Sequence, residues 1–468
     1  MGIDHDYIVI GSGPAGHMAA IKAAQGGLKT LVIEKDPDML GGVCLNEGCI
    51  PAKSLYSSAG ILARIKRSPG MFGIGSSNVT PDIMAFVGKS RKDAETLREG
   101  LKYVFKKNNI DVMYGRARFT GPDTLAVTSD EGVETVLGVK KALIAVGSFP
   151  RQLDSAAFDG EHVLSSSDAI RLGKVPGKMI IIGGGAIGVE FASFFSILGT
   201  EITLIEFEKS LLPREDAEVS RRLGSIFKKQ GIKVMTSSSV TGVSISGDKV
   251  SVQVSSSTGD SYVAGDMVIV SVGRAPSTSA LGLDEAGIEV DDRGFIRVDT
   301  GMATSAPGIY AAGDVVRTPM LAHVAYAEGE LAALSALGQA TSPIAYEDIP
   351  NAVYSEIEIA SVGLTEESAK EKGLEYGIGK QFFRSCGRAV VQGDTEGFVK
   401  VIADKRTRKI LGAHIIGHQA AELIHELVIA RHNGITIDGI TGSVHAHPTV
   451  SETILDACRG VFGPPIHG

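Results

Sequence analysis

Apolar runs and helical stretches alternate along this chain in an order that occurs twice. The run Tyr7–Ile10 leads into Gly11-Ser12-Gly13-Pro14-Ala15-Gly16, then a helical stretch Ala19–Ala24, then the run Thr30–Ile33 ending at Glu34. The run Met179–Ile182 leads into Gly183-Gly184-Gly185-Ala186-Ile187-Gly188, a helical stretch Glu190–Leu198, and Ile202–Ile205 ending at Glu206. Gly11 to Glu34 and Gly183 to Glu206 are both intervals of 23 residues. Short continuous apolar runs separated by helical periods fit strands buried on both faces, and their alternation with helices predicts parallel sheets. Each copy continues alike. Leu125–Thr128, a turn at Asp130-Glu131-Gly132, Glu134–Leu137 and the run Ala142–Val146 close at Gly147. Lys249–Val254, a Ser-Thr-Gly-Asp turn, Ser261–Ala264 and the run Met267–Val272 close at Gly273.

The duplicated segments carry a chemical meaning. The first glycine of each fingerprint permits a tight strand-to-helix turn, and the second lets backbone approach a pyrophosphate. The third lets helix pack on sheet, and the helix N-terminus offers unpaired N–H groups to phosphate. The terminal acid accepts hydrogen bonds from ribose hydroxyls. One such fingerprint is a weak signal; two, each with strand, helix, second strand and acid in place, predict two dinucleotide sites. The two copies differ in length. Gly16 to Gly147 is 131 residues and Gly188 to Gly273 is 85, so the first holds 46 more. The added segment contains Cys44, Cys49 and two helical stretches, about Ala52–Ile65 and Ile83–Lys107. A third element, Gly308–Val315, has the form of a short buried strand ending in Asp314, at a strand end where open α/β sheets bind ligands, although an Asp after a glycine is on its own more often a plain turn.

Composition narrows the class. At 468 residues the chain exceeds one compact core. Its 58 glycines lack a collagen-like period and fit many tight turns and close backbone approaches. A formal charge of −8 without a basic run excludes nucleic acid and anionic membrane surfaces as expected partners. No apolar stretch is long enough to span a bilayer. The start runs into a strand without a basic, cleavable leader, so the expected compartment is the cytoplasm. Four cysteines are too few for a disulfide scaffold.

Cys44 and Cys49 lie in GGVCLNEGCIPAK (41–53). Five residues along a regular helix rise about 7.5 Å, beyond the usual Cα separation of about 4.4–6.8 Å in a disulfide. A bonded pair therefore requires irregular backbone, which the neighbouring glycines allow. Closing so short a loop removes little chain entropy, so a structural staple is a poor use of the pair. Pro51 suits a first helical turn, so a helix is expected to start near Cys49 and to favour its thiolate. Zinc needs more ligands than are nearby. A redox pair is favoured, with inert thiols and a metal site as alternatives. Cys386 and Cys458 have no sequence partner and read as ordinary residues.

From about Ile349 the pattern changes. Tyr354–Val362 and Phe398–Ile402 read as strands and Ala420–Asn433 as a helix, forming a separate α/β domain after the linker Thr341–Pro350. Near its end stands HAHPTVSE (445–452). Histidine is the natural base near neutral pH and a carboxylate can orient it, yet a His-Pro loop alone is more often a turn.

These segments, with GGGAIGVEFAS (183–193), AAGDV (311–315) and GAHIIGHQAAELIHE (412–426), resemble the pyridine-nucleotide disulfide oxidoreductase family over essentially the whole chain. The resemblance implies two Rossmann-like dinucleotide-binding domains plus a C-terminal α/β interface domain. The boundaries would be 1–150 for FAD, 151–275 for NAD, 276–346 for a central domain completing the FAD site, and 347–468 for dimerisation. It implies FAD on Gly11, Gly13, Gly16 and Glu34, helped by Lys53, Gly115, Asp314 and Ala322. The nicotinamide cofactor falls to Gly183, Gly185, Gly188 and Glu206, with Gly273 closing that unit. No arginine follows Glu206 in residues 207–210 to hold a 2′-phosphate, which favours NAD. Cys44 becomes the interchange thiol, Cys49 the flavin-proximal thiol, and His447 with Glu452 the proton shuttle, supplied by the other subunit of a homodimer. Lys53 and Glu190 would form an ion pair beside the flavin. The implied reaction is NAD-dependent oxidation of dihydrolipoyl groups on the lipoyl domains or carrier proteins of 2-oxo acid dehydrogenase or glycine-cleavage complexes. Reduction of another disulfide, and a mainly structural flavoprotein subunit, are the alternatives. Glu47 departs from the family, standing where a small apolar residue is common. A carboxylate there opposes thiolate formation if it faces the sulfurs.

Overall fold

The computed structural model of the chain describes residues 5–67, 72–73, 79–464 and 466–467. Both fingerprint units fold as five-stranded parallel sheets. In the first the strand order is Ile309–Ala311, Ala142–Ile144, Tyr7–Ile10, Thr30–Glu34 and Asp111–Tyr114. In the second it is Lys233–Met235, Glu201–Ile205, Lys178–Ile182, Met267–Val270 and Val163–Leu164. The apolar runs Tyr7–Ile10 and Met267–Val270 are buried along their whole length, as strands covered on both faces must be. Each unit also carries a three-stranded antiparallel sheet, Arg116–Gly121 with Thr124–Thr128 and Glu134–Gly138, and Ser238–Ser246 with Lys249–Ser256 and Gly259–Gly265. The hairpins read from the sequence are the last two strands of each.

Segment 276–346 returns to the first unit. Its strand Ile309–Ala311 adds to the first sheet beside Ala142–Ile144, and its helix Ala322–Ala336 packs on the first fingerprint helix. Gly147 and Gly273 lead into short strands, Ser148–Pro150 and Arg274–Pro276, which pair antiparallel with each other and join the two units.

The C-terminal part is a five-stranded antiparallel sheet ordered Asn351–Val353, Ile359–Gly363, Ile410–Ile416, Phe398–Asp404 and Tyr376–Phe382. The continuous strand expected over Tyr354–Val362 is corrected to a hairpin. Residues 354–358 leave the sheet because their backbone is claimed elsewhere: the Tyr354 N–H donates to Glu190 at 2.8 Å and the Glu356 N–H to Ser193 Oγ at 2.9 Å. The helix expected over Ala420–Asn433 runs Ala420–His432. Among the described residues no helix is long and apolar enough to cross a membrane.

One buried charge cluster fastens the second unit to the C-terminal sheet. Lys400, 2% exposed, donates to both oxygens of fully buried Asp216 at 3.0 Å and to Glu366 at 2.6 Å. Burial alone would raise the Asp216 carboxyl, but His414 and Lys400 hold it below the ordinary range. Burial alone would lower the Lys400 ammonium, but Glu366 and Asp216 hold it above. The depressed carboxyl adds stability above its unfolded pKa of about 4, lost as pH falls through its folded value. The raised amine adds stability below about 10.5, lost as pH climbs through its folded value. Lys400→Met strands a buried carboxylate and should cost about 3–5 kcal/mol. Thermal unfolding should show a markedly lower Tm at neutral pH, with the gap to wild type closing in acid as Asp216 protonates. An unchanged Tm would show that the pair contributes nothing.

Candidate active site

The first fingerprint turns from Ile10 into helix α1 (Pro14–Gln25), capped by Gly13 with no side chain bonding the first N–H groups. A Cβ on Gly16 would fall on the Gly11 carbonyl, and one on Gly188 on the Gly183 carbonyl, so both third glycines are dictated by the same close approach. Glu34, buried at the end of its strand, accepts from the Ser12 N–H at 3.0 Å and the Ser12 hydroxyl at 2.5 Å. Glu206 accepts from the Gly184 and Glu208 N–H groups. Around Gly13 and Gly185 the space a Cβ would enter is open or nearly so. Each unit thus presents an uncapped helix start, open space at the middle glycine and a buried acid, the arrangement that accepts a dinucleotide.

The cysteines occupy two helices joined at a break. Helix α2 (Gly42–Glu47) ends at Gly48 with φ −137° and ψ −113°, and α3 (Cys49–Arg67) starts at once, with Pro51 in its first turn. The break brings the Cys44 and Cys49 Cα atoms to 4.7 Å and the sulfurs are bonded. The irregular backbone that the spacing demanded is present. Gly42, at φ +73°, lies so near the first fingerprint that a Cβ would sit 2.5 Å from the Gly13 Cα. The Ser12 hydroxyl accepts from the Gly41 N–H at 2.9 Å while donating to Glu34. The disulfide is therefore docked on the nucleotide loop.

Helix α3 also reaches the second unit. Its Ala52, Leu55, Ala59 and Leu62 share a core with Phe191, Phe194 and Phe195 of the second fingerprint helix, α4 (Ala186–Leu198). Lys53 Nζ lies 3.0 Å from Glu190 Oε2 and 4.6 Å from the centre of the Tyr354 ring. Burial, with Glu190 beside it, pushes the Tyr56 phenol well above its ordinary range.

Other expected residues fall around the same region. Gly115 donates its N–H to the Glu34 carbonyl at 2.9 Å. Asp314 accepts from Ser148 Oγ at 2.5 Å, and Ala322 is the first residue of its helix, after Leu321 as N-cap. Gly273 takes φ +109°. His447 Nδ1 lies 2.9 Å from Glu452 Oε1, and the Thr449 N–H and His447 hold the Glu452 carboxyl below the ordinary range. Within the chain His447 hydrogen-bonds neither cysteine, and its side chain is 77% exposed. Cys386 and Cys458 are buried free thiols, the latter pushed up to about 12 by burial and Glu426. No metal-ligand cluster occurs among the described residues.

Residues 5–329 match the family of pyridine nucleotide-disulphide oxidoreductases, and residues 349–458 match that family's dimerisation domain. The chain belongs to the pyridine nucleotide-disulphide oxidoreductase family. It is 42% identical to a dihydrolipoyl dehydrogenase of Chlorobaculum tepidum, covering 97% of this chain and 96% of that one. It is 41% identical to a mitochondrial dihydrolipoyl dehydrogenase of Pisum sativum, covering 99% and 93%. The solved structure of LpdA from Mycobacterium tuberculosis superposes with a TM-score of 0.90 at 28% identity, covering 97% and 99%. As a member of this oxidoreductase family the chain is an enzyme with a redox disulfide, and its dimerisation domain supports a homodimer.

Three residues of the region escaped the sequence reading. Ser12 sits inside the fingerprint, where only glycines carry the pattern. Ser148 and Arg274 each directly follow a closing glycine, and Arg274 donates to the Ser148 hydroxyl at 2.6 Å and its carbonyl at 2.7 Å. The duplicated position after the glycine was the available signal.

Proposed function

We propose that the chain is a dihydrolipoyl dehydrogenase, oxidising a dihydrolipoyl dithiol with NAD through Cys44 and Cys49. The observation that carries this reading is the bonded pair at a helix break docked on the first fingerprint at Gly13. The close likeness to dihydrolipoyl dehydrogenases over nearly the full length of both chains supports the choice of substrate.

Gly11, Gly13, Gly16 and Glu34 hold FAD, with Lys53, Gly115, Asp314 and Ala322 around it. Gly183, Gly185, Gly188 and Glu206 hold NAD, with Glu190 and Gly273 alongside. Bound FAD supplies a two-electron acceptor between dithiol and NAD. The protein's part is thiol chemistry. A substrate thiol gives its proton to His447 of the partner subunit, oriented by Glu452, and its sulfur attacks Cys44. The Cys44–Cys49 bond breaks and its electron pair leaves on Cys49, which the start of α3 favours as thiolate. The second substrate thiol then attacks the first sulfur and yields its proton to the departing Cys44, which leaves with the electron pair of the mixed disulfide, and a cyclic disulfide remains. Two electrons remain on the cysteine pair. The lipoyl group arrives on a carrier domain of a 2-oxo acid dehydrogenase or glycine-cleavage complex. A reducing compartment such as the cytoplasm suits this chemistry and keeps Cys386 and Cys458 as thiols.

Purified enzyme should reduce NAD with dihydrolipoamide, and in reverse prefer lipoamide to glutathione disulfide and coenzyme A disulfide by at least about tenfold in kcat/KM, ~1.4 kcal/mol of discrimination. Equal rates on all three disulfides would reject the substrate assignment while leaving the disulfide chemistry intact.

A further inference from the structure

Glu47 is the last residue of α2, three positions after Cys44 and two before Cys49. Residues three apart on a helix are neighbours, about 5–6 Å between Cβ atoms, so the carboxylate shares a face with Cys44. A like charge beside a forming thiolate disfavours it. The side chain is not left alone. Arg171, at the end of the short helix Ser166–Ile170, donates its Nη2 to Glu47 Oε1. Half-buried Arg274, which also faces Asp314, lies within electrostatic reach of the same carboxylate. Arg98 and Lys53, on the helices packed against α2, have partners of their own. Arg98 donates to the Asn46 side chain and the Asp38 carbonyl, and its guanidinium lies 3.8 Å from the Asp38 carboxylate. Lys53 is paired with Glu190.

We infer that Arg171 is a positioning residue for the redox centre, drawing the Glu47 charge toward itself and neutralising it so that the neighbouring sulfurs ionise at neutral pH. The inference rests on the function proposed above only for its consequence in turnover; the effect on the thiols stands apart. It assigns a task to a residue outside both fingerprints and explains how the chain carries an acid between its two cysteines. Arg171 is half exposed, so the pair is open to salt, and high ionic strength should weaken it.

The test is alkylation of the reduced, FAD-loaded enzyme by iodoacetamide across pH, followed by mass spectrometry of the peptide holding Cys44. Arg171→Ala should move the ionisation up in pH and slow labelling near neutrality about three- to tenfold, the consequence of a half-unit to one-unit shift. Arg171→Lys should restore most of the rate. Glu47→Gln alone should label at least as fast as wild type, and Arg171→Ala combined with Glu47→Gln should return to the wild-type profile. An Arg171→Ala profile unchanged from wild type would overturn the inference. So would a double variant as slow as Arg171→Ala, because Arg171 would then act without Glu47. The labelling readout needs no dihydrolipoamide, so a wrong substrate assignment appears instead as wild-type enzyme inert toward that dithiol.

Discussion

Cys44→Ser should abolish NAD reduction by dihydrolipoamide, lowering kcat by roughly 10³-fold or more, while the protein stays folded and keeps its FAD. A serine oxygen cannot form the mixed disulfide or leave with its electron pair, so no alternative route passes electrons from substrate to Cys49. Cys44 is the third residue of α2 and is half-buried, so losing the bond should leave α2 seated by the Ser12–Gly41 hydrogen bond. The measurement is steady-state kcat at saturating NAD, with bound flavin quantified by absorbance in the same samples. A Cys44→Ser enzyme keeping more than a tenth of wild-type turnover would disprove the assigned electron path.

His447→Gln should lower kcat by about 10²–10⁴-fold, the range for loss of a general base. Glutamine still hydrogen-bonds Glu452 but accepts no proton at neutral pH. The pH profile therefore separates the two roles: the acid limb set by the imidazole should vanish in His447→Gln. Glu452→Gln should retain that limb with a smaller loss of rate, because the Thr449 N–H still has an acceptor at position 452. Identical pH profiles for wild type and His447→Gln would remove the histidine from proton transfer.

The sequence made the two parallel sheets legible because buried strands are apolar throughout and the fingerprints repeat at fixed spacing. It also showed that a Cys44–Cys49 bond requires broken helix geometry, and Gly48 supplies the break. The C-terminal hairpin was not legible. Residues 354–358 look like a strand by composition, and what removes them from the sheet is the distant Glu190 and Ser193, which no local pattern reveals. The stretch Gly308–Val315 has the form of a short strand but on its own reads more often as a turn, and the pairing that makes Ile309–Ala311 part of the first sheet spans more than a hundred residues. Polar partners such as Ser12, Ser148 and Arg171 acquire their places only when the chain folds back on itself. The Glu47 carboxylate, which stood out from sequence as a conflict with thiolate chemistry, is met by Arg171 from beyond the first unit.

The joined helices α2 and α3 rest at Gly42 against the first nucleotide loop, and the flank of α3 lies in a common apolar core with Phe191, Phe194 and Phe195 of the second unit. Swinging the two halves apart would expose that shared seam to water and break the Lys53–Glu190 contact at the same moment. The shared seam thereby braces the two dinucleotide units against a hinge opening between them.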